Sequence, residues 1–542
     1  MSKKIIGASL GNCVHVAGVV HFLDLAKQEG YETKFLGPAV SVEKLFSYLK
    51  EEKYDVVGIS YRLTPDNVVS LLDEVFVKAK ELDYEPKWVF GGTKPVADVA
   101  RNYSFDFISD GYDDISDSIR FLRGQGVQSK AEDYGKDIVE RIQASYPYPV
   151  LRHHYGEPSL EKTIDGVRKI SEAKVLDVVS LGPDQNAQEY FFRPEEMPTT
   201  YDGAGGVPIR TKQDFVDLKN ATKTGNYPLI RCYSGTADVF QYAEMLKETL
   251  DNAWSAIPLC WYNELDGRGT RTIEDSIKEA QELIKWHADR NIVVEINEPH
   301  HWAMRDAHDT VTVAMAYISA YNAKKLGVKN YISQYMFNVP SGLSFSMDLA
   351  RVLAMIEMVE SLEDNTFKTY RQTRAGLPLF AADPDVAKGQ LAASTMMQME
   401  VKPHIMHVVA YCEADHAATP EEVIESCKIV KGVIRHTVDD KFSMRNDPQI
   451  KARTEELVSE AKILLEYIRK EYSEYDDPLA NAEVLADCVK RGIIDATHIL
   501  KSDKFRGELY TRVVNGTCRA YDLENEKVLT EEERLSMIPK RG

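Results

Sequence analysis

What this sequence lacks narrows its class before any motif is considered. No run of residues is long and apolar enough to span a bilayer, so a membrane-spanning helix is not expected. Basic residues are in the minority: 66 Lys and Arg stand against 85 Asp and Glu, for a net charge of −19. That argues against nucleic acid as the main partner, because phosphate binding needs concentrated Lys and Arg. Cysteine is scarce. The seven cysteines (Cys13, Cys232, Cys260, Cys412, Cys427, Cys488 and Cys518) are scattered, odd in number and without a CxxC pair. They give no disulfide framework or structural zinc motif, and they suit a reducing compartment. Met1 to Lys4 and the apolar residues after them faintly resemble a secretory signal, but Gly7, Gly11, Asn12 and His15 break the run. A cytoplasmic protein is expected. Neither low-complexity tracts nor repeats of solenoid period occur.

What is present is a chain of 542 residues, too long for one ordinary domain, with a hydrophobic fraction of 44% that suits globular folding. Residues 4–120 alternate in the α/β manner. Strands are predicted at 4–9, 33–36, 54–60, 87–90 and 105–109, with helices at 15–29, 42–50 and 66–82 between them. Such alternation implies a doubly wound parallel sheet of flavodoxin-like type over residues 1–125. The composition changes from Gly124 onward, and residues 126–165, with Gly126, Ser129 and the cluster Tyr146-Pro147-Tyr148-Pro149, read as a linker holding one helix. From 166 to 436 strand-like runs recur at 175–181, 228–233, 256–261, 292–296, 330–335, 369–373 and 404–410, separated by helices. That pattern predicts a TIM-type (β/α)8 barrel. Residues 437–542 read as an extension of that domain, with a long charged helix and a smaller α/β piece.

Ligands of both architectures sit at the carboxyl ends of the strands. In the first domain this points to the loops 10–18, 60–65 and 91–95. His15 follows the first strand in Gly11-Asn12-Cys13-Val14-His15-Val16-Ala17-Gly18 and opens the first helix. Taken alone, this loop is as consistent with a plain helix-start histidine as with a ligand-binding one; a dinucleotide fold is disfavoured because GxGxxG is absent. In the barrel the strand ends carry Asp184-Gln185-Asn186, Cys232-Tyr233-Ser234, Tyr262-Asn263-Glu264, Asn297-Glu298, Gln334-Tyr335, Arg374 and Glu413. The run from Glu298 through His300, His301 and His308 to Asp309 holds metal-type residues without HExxH spacing, and metal is the lesser reading there.

These residues carry a resemblance. The His15 loop resembles the DxHxxG pattern of cobalamin-binding domains, and residues 3–120 are similar to the small subunit of glutamate mutase. Ser60 and the pair Gly91-Gly92 match that family's serine and glycines at successive strand ends. Residues 228–520 resemble its large subunit through Gly235-Thr236-Ala237-Asp238, Trp261-Tyr262-Asn263, Asn297-Glu298-Pro299, Gly327-Val328-Lys329-Asn330 and Glu413-Ala414. The chain thus looks like the two subunits fused.

The resemblance implies adenosylcobalamin with His15 on cobalt, Gly18, Ser60, Gly91 and Gly92 around its tail, and Cys13 where the family has an aspartate bonded to the histidine. Arg62 stands where the family has a leucine. It implies a radical isomerase with Tyr262, Glu298 and Glu413 as catalytic candidates. Asp184, Gln185, Asn186, Arg231, Asn263, His300 and Arg374 are the candidate substrate contacts. Two of the three arginines with which the family grips a dicarboxylate fall near Asp184 and Tyr233, and Arg231 and Arg374 lie out of register. A substrate other than glutamate, with at most one carboxylate or with an amine or hydroxyls, is therefore expected. The rivals are a corrinoid-dependent methyltransferase and a cobalamin carrier or sensor without catalysis. A homodimer is the expected assembly, and a small molecule the expected partner.

Overall fold

The computed structural model describes residues 3–111, 113, 115–125, 131–438, 443–499 and 504–541. The chain divides into two compact units, Met1–Ser129 and Lys130–Gly542. Among the described residues no helix is long and apolar enough to cross a membrane.

The first unit is a five-stranded parallel sheet of β1 (Lys4–Ser9), β2 (Glu32–Phe35), β3 (Val56–Tyr61), β4 (Lys87–Gly92) and β5 (Phe107–Ser109). Its strand order, β2-β1-β3-β4-β5, is the flavodoxin-like one. Helices α1 (Ala17–Gln28), α2 (Val42–Glu51), α3 (Pro65–Ala79), α4 (Lys94–Ala100) and α5 (Ile115–Leu122) connect the strands or follow the last. The local causes are plain. Every residue of β3 (VVGISY) is buried, as a central strand covered on both faces requires. In α2 the Ser41 hydroxyl accepts from the Lys44 amide at 3.2 Å, and Val42, Leu45, Phe46 and Leu49 form its buried stripe. Gly7 lets α1 lie close on β1, since a Cβ there would meet Val19 at 2.8 Å and Leu23 at 2.9 Å. The strand order reverses between β1 and β3, so the crevice for a ligand opens at their carboxyl ends.

The second unit contains eight parallel strands: β6 (Val150–Tyr155), β7 (Val178–Leu181), β8 (Leu229–Cys232), β9 (Ser255–Ile257), β10 (Val294–Ile296), β11 (Asn330–Phe337), β12 (Lys368–Ala375) and β13 (Ile405–His407). They run β8-β7-β6-β13-β12-β11-β10-β9, a barrel whose ladder is open only between β8 and β9. Side chains bridge that seam. The Cys232 amide donates to the Asn252 side chain at 2.8 Å, and the Ser234 hydroxyl donates to the Ala256 carbonyl at 3.1 Å.

The stretch expected as a linker needs correction. Residues 126–130, at its head, lie outside the described residues, but helix Ile138–Ser145 and strand β6 belong to the barrel. β6 pairs with both β7 and β13 and is the strand that completes the eight. It escaped notice because VLRHHY is half polar and follows a Tyr/Pro cluster, a composition that reads as a loop; in the barrel those polar side chains find partners inside. The C-terminal extension carries the long helix Pro448–Glu471 and an antiparallel three-stranded sheet of β14 (Thr511–Val514), β15 (Thr517–Asp522) and β16 (Lys527–Val528).

Candidate functional site

The loop after β1 is pinned at its start and open at its tip. The Leu10 amide donates to the Ser60 carbonyl at 3.0 Å, Gly11 to Val40 at 2.8 Å and Cys13 to Leu10 at 3.1 Å. Cys13 is buried, whereas Val14 and His15 are exposed. The Cys13 sulfur lies 3.7 Å from Nδ1 of His15. The imidazole is thus steadied at one nitrogen while Nε2 is left for a ligand, the arrangement in which a second group orients a metal-binding histidine. A thiol is a weak hydrogen-bonding partner, so the steadying is weaker than a carboxylate's.

The three glycines around this edge differ in what they are for. At Gly92 a Cβ would lie 2.9 Å from both the Tyr61 carbonyl and the Phe90 ring, so packing within the unit demands glycine. At Gly18 and Gly91 a Cβ would meet nothing within 4 Å, and neither has the positive φ that favours glycine. The fold itself does not require glycine at either position. Ser60 is buried at the end of β3 between these loops. A cobalamin fits this donor set: an exposed imidazole, a group on its far nitrogen, and bare backbone beside it.

The barrel interior is built in tiers, because alternate residues of each strand point inward. Val150, Val178, Trp254, Ile332, Tyr370 and Ile405 pack together as an apolar floor with helix Ile138–Ser145 beneath. Above it the filling is polar, where a barrel of this kind is ordinarily filled by branched apolar side chains. Arg152 donates to Gln372 at 2.8 Å, to Ser180 at 3.0 Å and to Gln334 at 3.1 Å, and contacts His154 at 3.1 Å. Gln334 in turn contacts Nδ1 of His300 at 2.9 Å. Arg231, fully buried, stands 3.6 Å from Glu295, and Glu295 also accepts from the Trp254 indole at 2.7 Å. Nε and Nη1 of Arg231 have no hydrogen-bond partner. An unsatisfied buried donor costs about 1–3 kcal/mol. The Arg231 guanidinium also lies over the Tyr233 ring at 4.9 Å and the Trp254 ring at 5.3 Å, which offsets part of that cost.

At the carboxyl end these tiers open. His154 and Tyr233 stack at 5.0 Å with a 2.9 Å contact between them, and the His407 ring meets His154 edge-on at 4.7 Å. Glu413 accepts from the Ala410 amide at 3.0 Å and lies 2.8 Å from Nε2 of His153. Arg374 is crowded by protein yet keeps solvent access, and its only hydrogen bond among the described residues goes to the Ala375 carbonyl at 3.3 Å. Burial holds His154, His300, His301 and His407 well below the usual histidine range, with Arg152 or Arg374 adding to the effect. Burial, reinforced by Arg231, also lowers Arg152 to about 9. Neutral histidines leave three cations, Arg152, Arg231 and Arg374, against two carboxylates, Glu295 and Glu413. The interior therefore favours an anion.

Tyr262 stands at this rim with a φ of 65°, a conformation rare for a bulky residue. Arg268 lies 4.0 Å over its ring, and His301 meets it edge-on at 6.1 Å. The Tyr262 amide donates to the Asp266 carboxylate at 3.3 Å, which holds the turn.

Several expected site residues have other work. Glu298 is wholly buried; its carboxylate accepts from the Leu259 amide at 2.5 Å, the Cys260 amide at 2.8 Å and the Trp302 indole at 3.0 Å. It clamps the loop after β9 and offers nothing to the mouth. Asp184 does not face a substrate. It caps helix Gln185–Glu189 through Ala187, accepts from the Gly203 amide, and is gripped by both terminal nitrogens of Arg210 at 2.9 Å and 2.6 Å. Its charge is matched, so it repels no carboxylate. Asn186 donates to Pro198 and Asp202, and Asn263 shapes its own turn through Cys260 and Leu265, both fully buried. Gln185 is exposed and His300 buried beneath the rim. Arg152, His154 and Glu295 were missed. The signal was the spacing of two in Val150-Arg152-His154, an inward face that the linker reading hid.

Residues 3–115 match the family model described as the B12 binding domain, and the first unit is such a domain. No curated protein matches the chain. Among solved structures it is similar to a cobalamin-binding protein from Desulfitobacterium hafniense DCB-2, at 26% identity over 22% of this chain and 58% of that one, with a TM-score of 0.20. The chain therefore spans little more than half the length of that protein. It is also similar to the cobalamin-dependent S-adenosylmethionine radical enzyme OxsB with aqua-cobalamin bound, at 11% identity over 90% of this chain and 70% of that one, TM-score 0.19. A third is the radical S-adenosylmethionine methyltransferase TsrM from Kitasatospora setae, with cobalamin and a 4Fe-4S cluster bound, at 12% identity over 73% and 74% of the two chains, TM-score 0.19.

Proposed function

From a B12-binding domain joined to a barrel with a cationic interior, we propose an adenosylcobalamin-dependent radical isomerase acting on a small substrate with one anionic group. The observation that carries this reading is the charged middle of the barrel. Charges buried this deeply cost several kcal/mol each unless they meet a partner. Arg231 keeps two donors unpaired, and Arg374 has no carboxylate in ion-pair range among the described residues. The terminal nitrogens of Arg374, free among the described residues, suit a carboxylate in bidentate fashion. Glu413 and Tyr262 are the rim groups that would meet the substrate's amine or hydroxyl.

His15 would hold the corrinoid, with Gly18 and Gly91 leaving space for it and Cys13 behind the imidazole. When bound, adenosylcobalamin supplies a carbon-centred radical by homolysis of its cobalt–carbon bond. The chain's own part is to grip the anion with Arg374, to hold the substrate still, and to keep water out of the polar tiers. Iron–sulfur chemistry is not favoured by these residues. All seven cysteines are free, and no three of them share a cluster among the described residues.

The test is a screen. Full-length protein reconstituted with adenosylcobalamin is mixed with small monocarboxylic acids, amino acids and hydroxy acids, and frozen for EPR. A substrate-dependent Co(II)–radical signal, lost in Arg374→Leu, is expected. Glutamate should give little methylaspartate by product NMR. A protein that gives no radical with any acid but transfers a methyl group from methylcobalamin would overturn the reading.

A further inference from the structure

The loop that follows β13 carries a second cluster, which the isomerase reading does not use. Cys412, His416 and Glu422 each place one ligand-type atom so that all three lie within 4.8 Å of one another. The arrangement has local causes. The amides of Asp415 and His416 both donate to the Cys412 carbonyl at 2.9 Å, a single turn that sets Cys412 and His416 on one face. Glu422 lies in the first turn of helix Pro420–Thr437, where a capping box with Thr419 fixes its carboxylate. One oxygen of Glu422 accepts from the Thr419 amide and hydroxyl, both at 2.9 Å. The other oxygen faces Nε2 of His416 at 2.9 Å.

We propose that Cys412, His416 and Glu422 form a zinc site at the rim of the barrel. One feature beyond the clustering points this way. It is Asp415, whose carboxylate holds Nδ1 of His416 at 2.9 Å. A histidine that binds a metal through Nε2 commonly donates its other N–H to a carboxylate in this manner, which fixes ring and tautomer. Cys412 is buried beside this pair, where its sulfur completes the set. The donor set of one thiolate, one imidazole and one carboxylate suits Zn2+ over the harder Mg2+ or Ca2+. Three protein ligands leave a fourth position for water or a substrate's oxygen or sulfur atom.

Binding is a proton exchange. One Zn2+ enters, the Cys412 sulfur gives up its proton to solvent, and His416 binds through a bare Nε2. Ligands must be deprotonated to bind, so affinity should rise with pH. The inference is independent of the corrinoid reading, because it uses no residue of the first unit.

The experiment uses the full chain, expressed without cobalamin, stripped with a chelator and dialysed against zinc. Elemental analysis and a chromogenic competition assay give stoichiometry and affinity. One zinc per chain is expected, with an X-ray absorption edge showing one sulfur among nitrogen and oxygen neighbours. His416→Gln, which alters an exposed side chain, should weaken binding by about a hundredfold, and Cys412→Ser should remove the sulfur shell. Circular dichroism on both variants separates loss of the site from loss of the fold. Less than one zinc per chain in folded wild type, or equal retention in folded His416→Gln, overturns the proposal.

Discussion

The two working regions of this chain are built on opposite principles. In the first unit the site is a loop: His15 and Cys13 are two residues apart and stand at the edge of a finished sheet. In the barrel the site is the filling: Arg152 meets Gln372, 220 residues away, and neither is placed until the barrel is nearly closed. The exposed tip of the loop, Val14 and His15, can change without disturbing the core behind it, in which Cys13 is packed. The filling cannot, because Arg152, in the same polar tier, ties β6 to β7, β11 and β12 through Ser180, Gln334 and Gln372. A site of the first kind is tuned by substitution; a site of the second kind is coupled to stability.

The sharpest test of that contrast is Glu298→Ala. It strands the amides of Leu259 and Cys260 and the Trp302 indole, each buried. At about 1–3 kcal/mol per orphaned donor, a loss of roughly 4 kcal/mol or more is expected. Denaturant melts should show the barrel transition lowered while cobalamin binding by the first unit is kept. A variant that melts normally but loses turnover would return Glu298 to the reacting groups and blur the comparison.

His15→Ala should act the other way, with little change in melting and a loss of cobalamin affinity of about a hundredfold or more, beyond what supporting residues usually cost. Bound cobalamin in the wild type should show nitrogen superhyperfine coupling in its Co(II) EPR spectrum. Coupling that persists in the variant means another residue holds the cobalt.

Acid should separate the units as well. Burial lowers His287 and His404 to about 4, and the mouth histidines lie well below their usual range. Their folded-state values are depressed, so the unfolded chain takes up protons first. The stability they contribute is full above about pH 6.5 and is lost as pH falls toward 4, by about 1.4 kcal/mol per pH unit for each histidine. Both histidines of the first unit, His15 and His21, are exposed. Melts between pH 7 and 5 should therefore show the barrel transition falling faster, and parallel shifts would contradict this.

The smallest effect is expected at Cys13. Replacing it with Asp gives Nδ1 of His15 a stronger partner and should tighten cobalamin binding by up to about tenfold, whereas Cys13→Ala should weaken it only a few-fold. Isothermal titration resolves both. No change in either variant would mean that the 3.7 Å contact does not orient the ring.

How much of this was legible beforehand follows the same division. β1 was read to the residue at 4–9, and α2 to within one residue, because buried runs and apolar stripes are local patterns. His15, Gly18 and Gly91 were picked out for the same reason: each lies at or just past a strand's carboxyl end, His15 in the loop after β1, Gly18 in the first turn of α1 and Gly91 near the end of β4. β6 could not, since its arginine and two histidines look like loop chemistry until a barrel surrounds them. Asp184 was misjudged because its partner, Arg210, lies 26 residues on and meets it only through the fold.

The sequence by itself determined the alternation of strands and helices, the doubly wound first unit, the barrel class of the second and the loop that presents His15. These depend on periodicity and on neighbours a few residues apart. The tertiary structure alone decided which charges are paired and which are left over: Asp184 with Arg210, Glu298 with three N–H groups, Arg231 with two donors unmet. The reason is physical. A buried charge takes its energy from whatever lies within a few ångströms, and chain closure, more than order along the chain, sets those neighbours.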